Sequence, residues 1–167
     1  MIVSRKEMLE IEEKSGISSF ELINLTGKKL ATHLLPYLEV NSNILVLAGN
    51  GNNGADSFAL INNLKQFHIN LILVNGLPKN PDAMKVYKQI PPSIIQPIHS
   101  LDTCLKSCGV IIDGIFGFGY HGKLTDEMRT VFKQIQDAKK PIYSIDINSG
   151  AECDSAMHDS FALHSAV

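Results

Sequence analysis

Tryptophan is absent from the 167 residues, and cysteine is scarce, with Cys104, Cys108 and Cys153 as the whole supply. An odd count at no metal-ligand spacing argues against a disulfide framework or a structural zinc site and reads as reduced, partly buried thiols. The six histidines form no HxH or HExxH pair, so no transition metal is assigned. Charge of one sign is missing too: 15 basic against 17 acidic side chains leave a formal net charge of -2. That balance supplies no electrostatic footprint for nucleic acid or an anionic membrane. The longest apolar runs, such as "NILVLA" and "NLILVN", fall far short of the roughly 20 residues a membrane helix needs. The N-terminal "MIVSRKEMLEIEEKSG" carries four glutamates and no apolar signal core, and so reads as neither secretory nor mitochondrial. These readings place the protein in the cytoplasm, with neither a membrane nor a nucleic acid as partner, and leave a small-molecule site as the better expectation.

What is present is the composition of one soluble domain, 44% apolar and 19% charged, long enough to bury roughly 70% of its unfolded surface. Ser4-x-x-Glu7 and Ser18-x-x-Glu21 are capping boxes that each open a helix, with Gly16 as the first stop and Pro36 as the second. Two helices therefore precede any strand. Beyond them, short apolar runs alternate with helical segments. Strands are expected at 43–48, 70–75, 94–98, 109–114 and 141–146, and helices from about 54, at 81–89 and from about 125. Continuous rather than alternating hydrophobicity in the strands predicts burial on both faces, hence a mainly parallel sheet between helical layers.

In an open α/β sheet, ligands bind beyond the carboxyl ends of the strands, and three of the loops there are rich in polar residues and glycine. The first, "GNGNNGAD", contains a literal GxGxxG, but the second strand ends "LVNGLP" with no acid to hold a ribose, which argues against a dinucleotide cradle of the dehydrogenase kind. Asp56, expected in the first helical turn, would also oppose a phosphate there. Asn52, Asn53 and Asp56 instead suit sugar hydroxyls or a hard cation that wants oxygen ligands; taken alone, the run reads equally as a tight turn with an Asx-rich helix cap. In the second loop, "DGIFGFGYHGK", Gly114, Gly117, Gly119 and Gly122 allow backbone amides to approach a phosphate, with Lys123 as countercharge. In the third, "DINSGAECD", Asp146 leaves an apolar strand into the crevice, where partial burial would tune it for acid/base work.

Together the three loops resemble the NAD(P)H-hydrate epimerase family, the YjeF N-terminal domain. Its signatures have the forms GxGNNGGDG, VDAxFGTGLxG and VDIPSG; here they stand as "AGNGNNGADS", "IDGIFGFGYHG" and "SIDINSG", in the same order, while "LINLTG" stands where members usually read LMENAG. The resemblance implies a Rossmann-like three-layer α/β/α sandwich that interconverts the two epimers of hydrated NADH or NADPH. It implies a substrate site of Asn52, Asn53, Gly54, Ala55, Asp56, Gly117, Phe118, Gly119, Tyr120, His121, Gly122, Lys123 and Asp146, with Asp146 catalytic. It further implies a potassium ion on Asn53, Asp113 and Ser149, and a homodimer built partly on the N-terminal helices. The sequence departs from the pattern at Ala55 and Ser57, expected to add small side chains beside the substrate, and at Phe118 and Asn148. Family members continue beyond "FALHSAV" into further strands and a helix. The expectation is thus a single domain over 1–167 lacking those strands, with an unpaired sheet edge, less stable or more oligomeric than a full-length member. A non-catalytic binding or scaffold module on the same framework is the alternative reading.

Overall fold

The computed structural model describes residues 4–153, 155 and 158–165; Asp154, at the end of the third loop, lies outside them. Two helices come first, α1 (Arg5–Lys14) and α2 (Ser19–Leu34). The Ser18 hydroxyl accepts from the Glu21 amide, while the Glu21 carboxylate accepts from the Ser18 amide and hydroxyl. Ser4 and Glu7 make the same exchange. Gly16, past the end of α1, sits at φ +66°, a left-handed conformation that costs glycine little. After α2 a short 3-10 turn, Leu35–Tyr37, carries Pro36.

The rest alternates strand and helix: β1 (Asn43–Ala48), α3 (Asn52–Asn62), β2 (His68–Leu73), α4 (Pro81–Tyr87), β3 (Ile95–Gln96), α5 (Leu101–Ser107), β4 (Val110–Gly114), α6 (Asp126–Asp137) and β5 (Ile142–Ser144). All four strand pairings of the sheet are parallel, in the order β3-β2-β1-β4-β5. β3 is shorter than the apolar run 94–98 suggests. Pro97 lacks the amide a ladder needs, and the 3-10 turns Pro92–Ile94 and Ile98–Ser100 take up the flanks. Helix α5 was not expected. Its Leu101, Cys104 and Leu105, with Cys108 just past its end, recur at helical spacing and are all buried, a pattern in which the cysteines serve as core residues. Both buried thiols are free, and burial pushes their pKa values up.

Alternate residues of the central strands serve opposite cores. Ile44, Val46 and Ala48 of β1, with Val110 and Ile112 of β4, pack against α2, α3 and α4. Leu45, Leu47 and Ile111 face α5 and α6, the period of two that a pleated strand imposes. Phe132 and Ile135 of α6 are fully buried, and truncating an aromatic of that kind to alanine costs about 3–5 kcal/mol. The result is the expected three-layer sandwich. Its strand order reverses between β1 and β4, because β2 and β3 extend the sheet one way and β5 the other. β5 forms one edge of the sheet. No helix among the described residues is long and apolar enough to cross a membrane.

Candidate active site

The reversal point opens a crevice between the tips of β1 and β4, and the three glycine- and asparagine-bearing loops meet there. The Gly49 amide, just past β1, donates to the Gly114 carbonyl at the end of β4 (3.0 Å). A side chain on Gly49 would overlap the Ile115 carbonyl, and one on Gly54 the Gly49 carbonyl. These two glycines of the GxGxxG are thus needed for backbone-on-backbone approach, whatever binds above them. Helix α3 begins at Asn52, two residues earlier than expected. Asp56 accordingly falls in the second turn, half-buried, where the helix-terminal field has largely faded.

Asn53, in the first turn of α3, is buried. Its Nδ2 donates to the Phe116 carbonyl of the second loop (2.8 Å), which fixes the amide orientation and leaves Oδ1 buried without a hydrogen-bond partner. Asp113, at the end of β4, is wholly buried. Its carboxylate accepts from the Ser149 hydroxyl (2.5 Å) and amide (3.0 Å), the Ser144 hydroxyl (2.9 Å) and the Ile115 amide (3.2 Å). Every one of these donors is neutral. Burial raises the Asp113 pKa, and the four hydrogen bonds oppose that rise. Ser149 Oγ also accepts from the Phe116 amide (2.9 Å), so the second and third loops are joined through one hydroxyl. Ser144 and the Phe116 carbonyl were not among the expected site residues. A serine two positions before a strand-tip aspartate is too ordinary to stand out, and a carbonyl leaves no mark on sequence.

Asp146 stands at the mouth. It is solvent-exposed along one side, but Oδ2 turns inward to accept the Phe118 amide at 2.6 Å. A Cβ placed on Gly117 would lie 2.8 Å from that same Oδ2 and 3.2 Å from Asn53 Cβ and Cγ. Gly117 therefore packs against both the aspartate and the asparagine, with no room for a side chain. Desolvation on the inner side pushes the Asp146 pKa up, partly offset by the Phe118 amide. Its backbone is left-handed, at φ +71°, a conformation costing a non-glycine residue about 1–3 kcal/mol and often found at functional sites.

The remaining residues expected to contact substrate divide by position. Asn52, Gly119, His121, Gly122 and Lys123 are exposed, while Phe118 and Tyr120 are half-buried, with the Tyr120 ring stacked on Phe116 at 4.6 Å between centroids. Gly54 is buried beneath the loop. Ala55 and Ser57 do not stand beside the crevice as expected. Both are fully buried, and Ser57 Oγ bonds back to the Asn53 carbonyl at 3.0 Å. Ser57 fills the space above Gly114, where any side chain would overlap its hydroxyl. The two positions exchange sizes relative to the motifs GxGNNGGDG and VDAxFGTGLxG: a small residue has grown on α3 where another has shrunk on β4.

An apolar groove of about 310 Å³ lies between α2 and β5, lined by Leu30, Leu34, Tyr37 and Tyr143 among others. It holds no carboxylate and does not include Asp146. Among the described residues no group of three or more histidine, cysteine, aspartate or glutamate side chains is placed to hold a metal. The donors at the reversal point are instead amide, hydroxyl and carboxylate oxygens, of the kind a hard cation takes.

With this geometry in place, comparison with known proteins gives consistent results. The chain is 29% identical over 153 residues to the NAD(P)H-hydrate epimerase of Caenorhabditis elegans, covering 89% of this chain and 65% of that protein. It is 30% identical over 155 residues to the NAD(P)H-hydrate epimerase of Paramecium tetraurelia, covering 90% of this chain and 66% of that protein. It thus spans just under two thirds of the length of these curated relatives. The crystal structure of yeast ynu0 superposes with a TM-score of 0.87 over 99% of this chain and 78% of that one, at 20% identity, a likeness of fold. The family profile described as YjeF-related protein N-terminus matches residues 19–166, and over that span, nearly its whole length, this chain belongs to that family.

Proposed function

We propose that the chain is an NAD(P)H-hydrate epimerase, acting on the R and S forms of hydrated NADH or NADPH. The observation that carries this reading is Asp146, an exposed strand-tip carboxyl with a raised pKa that one backbone amide holds at the mouth of the crevice. The relatives bearing that name support it.

The chemistry asks for one group that gives and retakes a proton. The inverted carbon bears a hydroxyl and the ring nitrogen. Asp146, protonated, donates to the hydroxyl, which leaves as water while the nitrogen lone pair stabilises the ring cation. Water then adds to the opposite face and returns its proton to the carboxylate, so the acid is regenerated and no electrons are exchanged. Desolvation, by raising the pKa, enlarges the protonated fraction at any given pH over that of an ordinary aspartate. The Phe118 amide donates to Oδ2, so in this reading Oδ1 makes the transfer. Asn52, Asn53, Asp56 and the loop from Gly117 to Lys123 bind the nucleotide in this reading, the glycine amides and Lys123 facing its phosphates.

Potassium fits the residues present. Asn53 Oδ1 is a buried acceptor with no partner, and Asp113 is a buried carboxylate whose hydrogen-bond donors are all neutral. Asn53, Asp113 and Ser149 would hold the ion, which would supply the positive charge this buried carboxylate otherwise lacks and tie the three loops together. The proposal extends to a cytoplasmic homodimer built partly on α1 and α2, where Met8, Ile11 and Leu25 are exposed; sedimentation of the Ile11→Glu variant against wild type tests the dimer.

The deciding experiment follows the epimer ratio of hydrated NADH and hydrated NADPH with and without protein in potassium buffer, with Asp146→Ala as control. Acceleration by the wild type that the variant abolishes is expected. Interconversion no faster than in buffer, with the nucleotide still bound, would leave a binding module instead.

A further inference from the structure

Between Gly117 and Thr125 the second loop has no regular secondary structure, yet the third loop holds it at two points. One is the Phe118 amide on Asp146. The other lies at the far end, where the Gly122 amide donates to Glu152 Oε1 at 2.9 Å. Glu152 Oε2 in turn accepts the Ser155 hydroxyl at 2.6 Å, so both carboxylate oxygens are engaged. Gly122 lies at φ +96°, and its carbonyl accepts the Tyr120 hydroxyl at 3.1 Å. The tether therefore grips a residue whose backbone is already bound to the ring stacked on Phe116. The Gly122 amide, then Ser155, then nearby His121 hold the Glu152 carboxyl below its usual range, as an acceptor of charge-assisted hydrogen bonds should be.

We propose that Glu152 is a positioning residue for substrate binding: through the Gly122 amide it fixes the far end of the glycine-rich loop, as Asp146 fixes the near end, so that the loop is ordered before the nucleotide arrives. The proposal rests on the epimerase reading for its substrate, though not for the tether itself. Glu152 acts through the Gly122 amide and not on a reacting group in this proposal. Its loss therefore weakens ground-state and transition-state binding alike and raises KM with little change in kcat. Ordering a loop in advance removes a cost that binding would otherwise bear.

The test compares Glu152→Ala with Glu152→Gln. Glutamine keeps an oxygen for the Gly122 amide and offers its own amide to the Ser155 oxygen, so it retains the tether without the charge. Glu152→Ala is expected to raise KM for hydrated NADPH about fivefold with kcat within about twofold, while Glu152→Gln stays near wild type on both. Hydrogen exchange of the peptide spanning 117–123 is expected to speed up in Glu152→Ala alone, with unaltered thermal melting as the folding control. Unchanged loop exchange in Glu152→Ala would show that no tether exists. Tighter nucleotide binding in both variants would show that Glu152 competes with the substrate phosphates instead of preparing their site. If the wild type proves inactive, the epimerase reading falls while the exchange measurement still judges the tether.

Discussion

The tips of β4 and β5 each carry an aspartate whose pKa burial raises, yet the two are built for different work. Asp113 is sealed beneath the loops with four neutral donors on its two oxygens; Asp146 faces solvent and takes a single amide on one of them. The sealed carboxylate can organise three loops, and a proton cannot readily reach or leave it. The open one is loosely enough held to trade a proton and has an oxygen to spare. Residue type and a place near the carboxyl end of a strand are shared, so the number of donors and the access of water distinguish the two environments.

The largest effect that sharpens this contrast is chemical. On the proposed epimerase reading, Asp146→Asn is expected to lower the epimerisation rate by about 10²–10⁴, the usual share of a general acid/base, with the melting temperature nearly unchanged. A slower Asp113→Asn than Asp146→Asn would break the comparison. Next comes stability. Asp113→Ala strands the Ser149, Ser144 and Ile115 donors in the interior and is expected to cost about 3 kcal/mol in denaturant unfolding. It should also remove the difference in melting temperature between potassium and choline buffers of equal ionic strength; a difference that survives would separate Asp113 from any ion.

A smaller effect probes the scaffold between the two tips. Gly114→Ala forces a methyl into the space of the Ser57 hydroxyl and is expected to cost about 1–3 kcal/mol. Ser57→Gly in the same chain should restore most of it, which a double-mutant cycle of unfolding free energies measures. Additive costs would mean the exchange of sizes is coincidental. The smallest effect is in pH. With the folded pKa of Asp146 above its unfolded value, the group's stability contribution is full below the unfolded value and is lost as pH rises through the folded one. Melting temperatures of wild type and Asp146→Asn should therefore diverge over that interval, with wild type declining more. The alkaline limb of kcat/KM should fall across the same range, as the acid form of the free enzyme is depleted.

Capping boxes announced α1 and α2 because their chemistry is local: a serine and a glutamate three residues apart satisfy each other's amides. Unbroken apolar runs announced the central strands, and the three loops could be named because glycine and asparagine mark sharp chain reversals. Helix α5 is short and half of its buried pattern is carried by cysteines, which leaves only a weak apolar period in the sequence. Asp56 and Ala55 were misplaced because a shift of two residues in a helix start moves a residue by half a turn, which no composition reveals.

By itself the sequence determined the order of the strands and of every helix but α5, the parallel character of the sheet and the three stretches that gather at its reversal point, since hydrophobic period and turn chemistry act over a few residues. Only the tertiary structure decided that Asp113 is sealed and Asp146 open, that Asn53 Oδ1 is left without a partner, that Ser57 fills the room Gly114 leaves, and that Glu152 reaches Gly122. Each of these depends on how much water and how many donors residues distant in sequence leave around one atom, and that is settled when the layers pack.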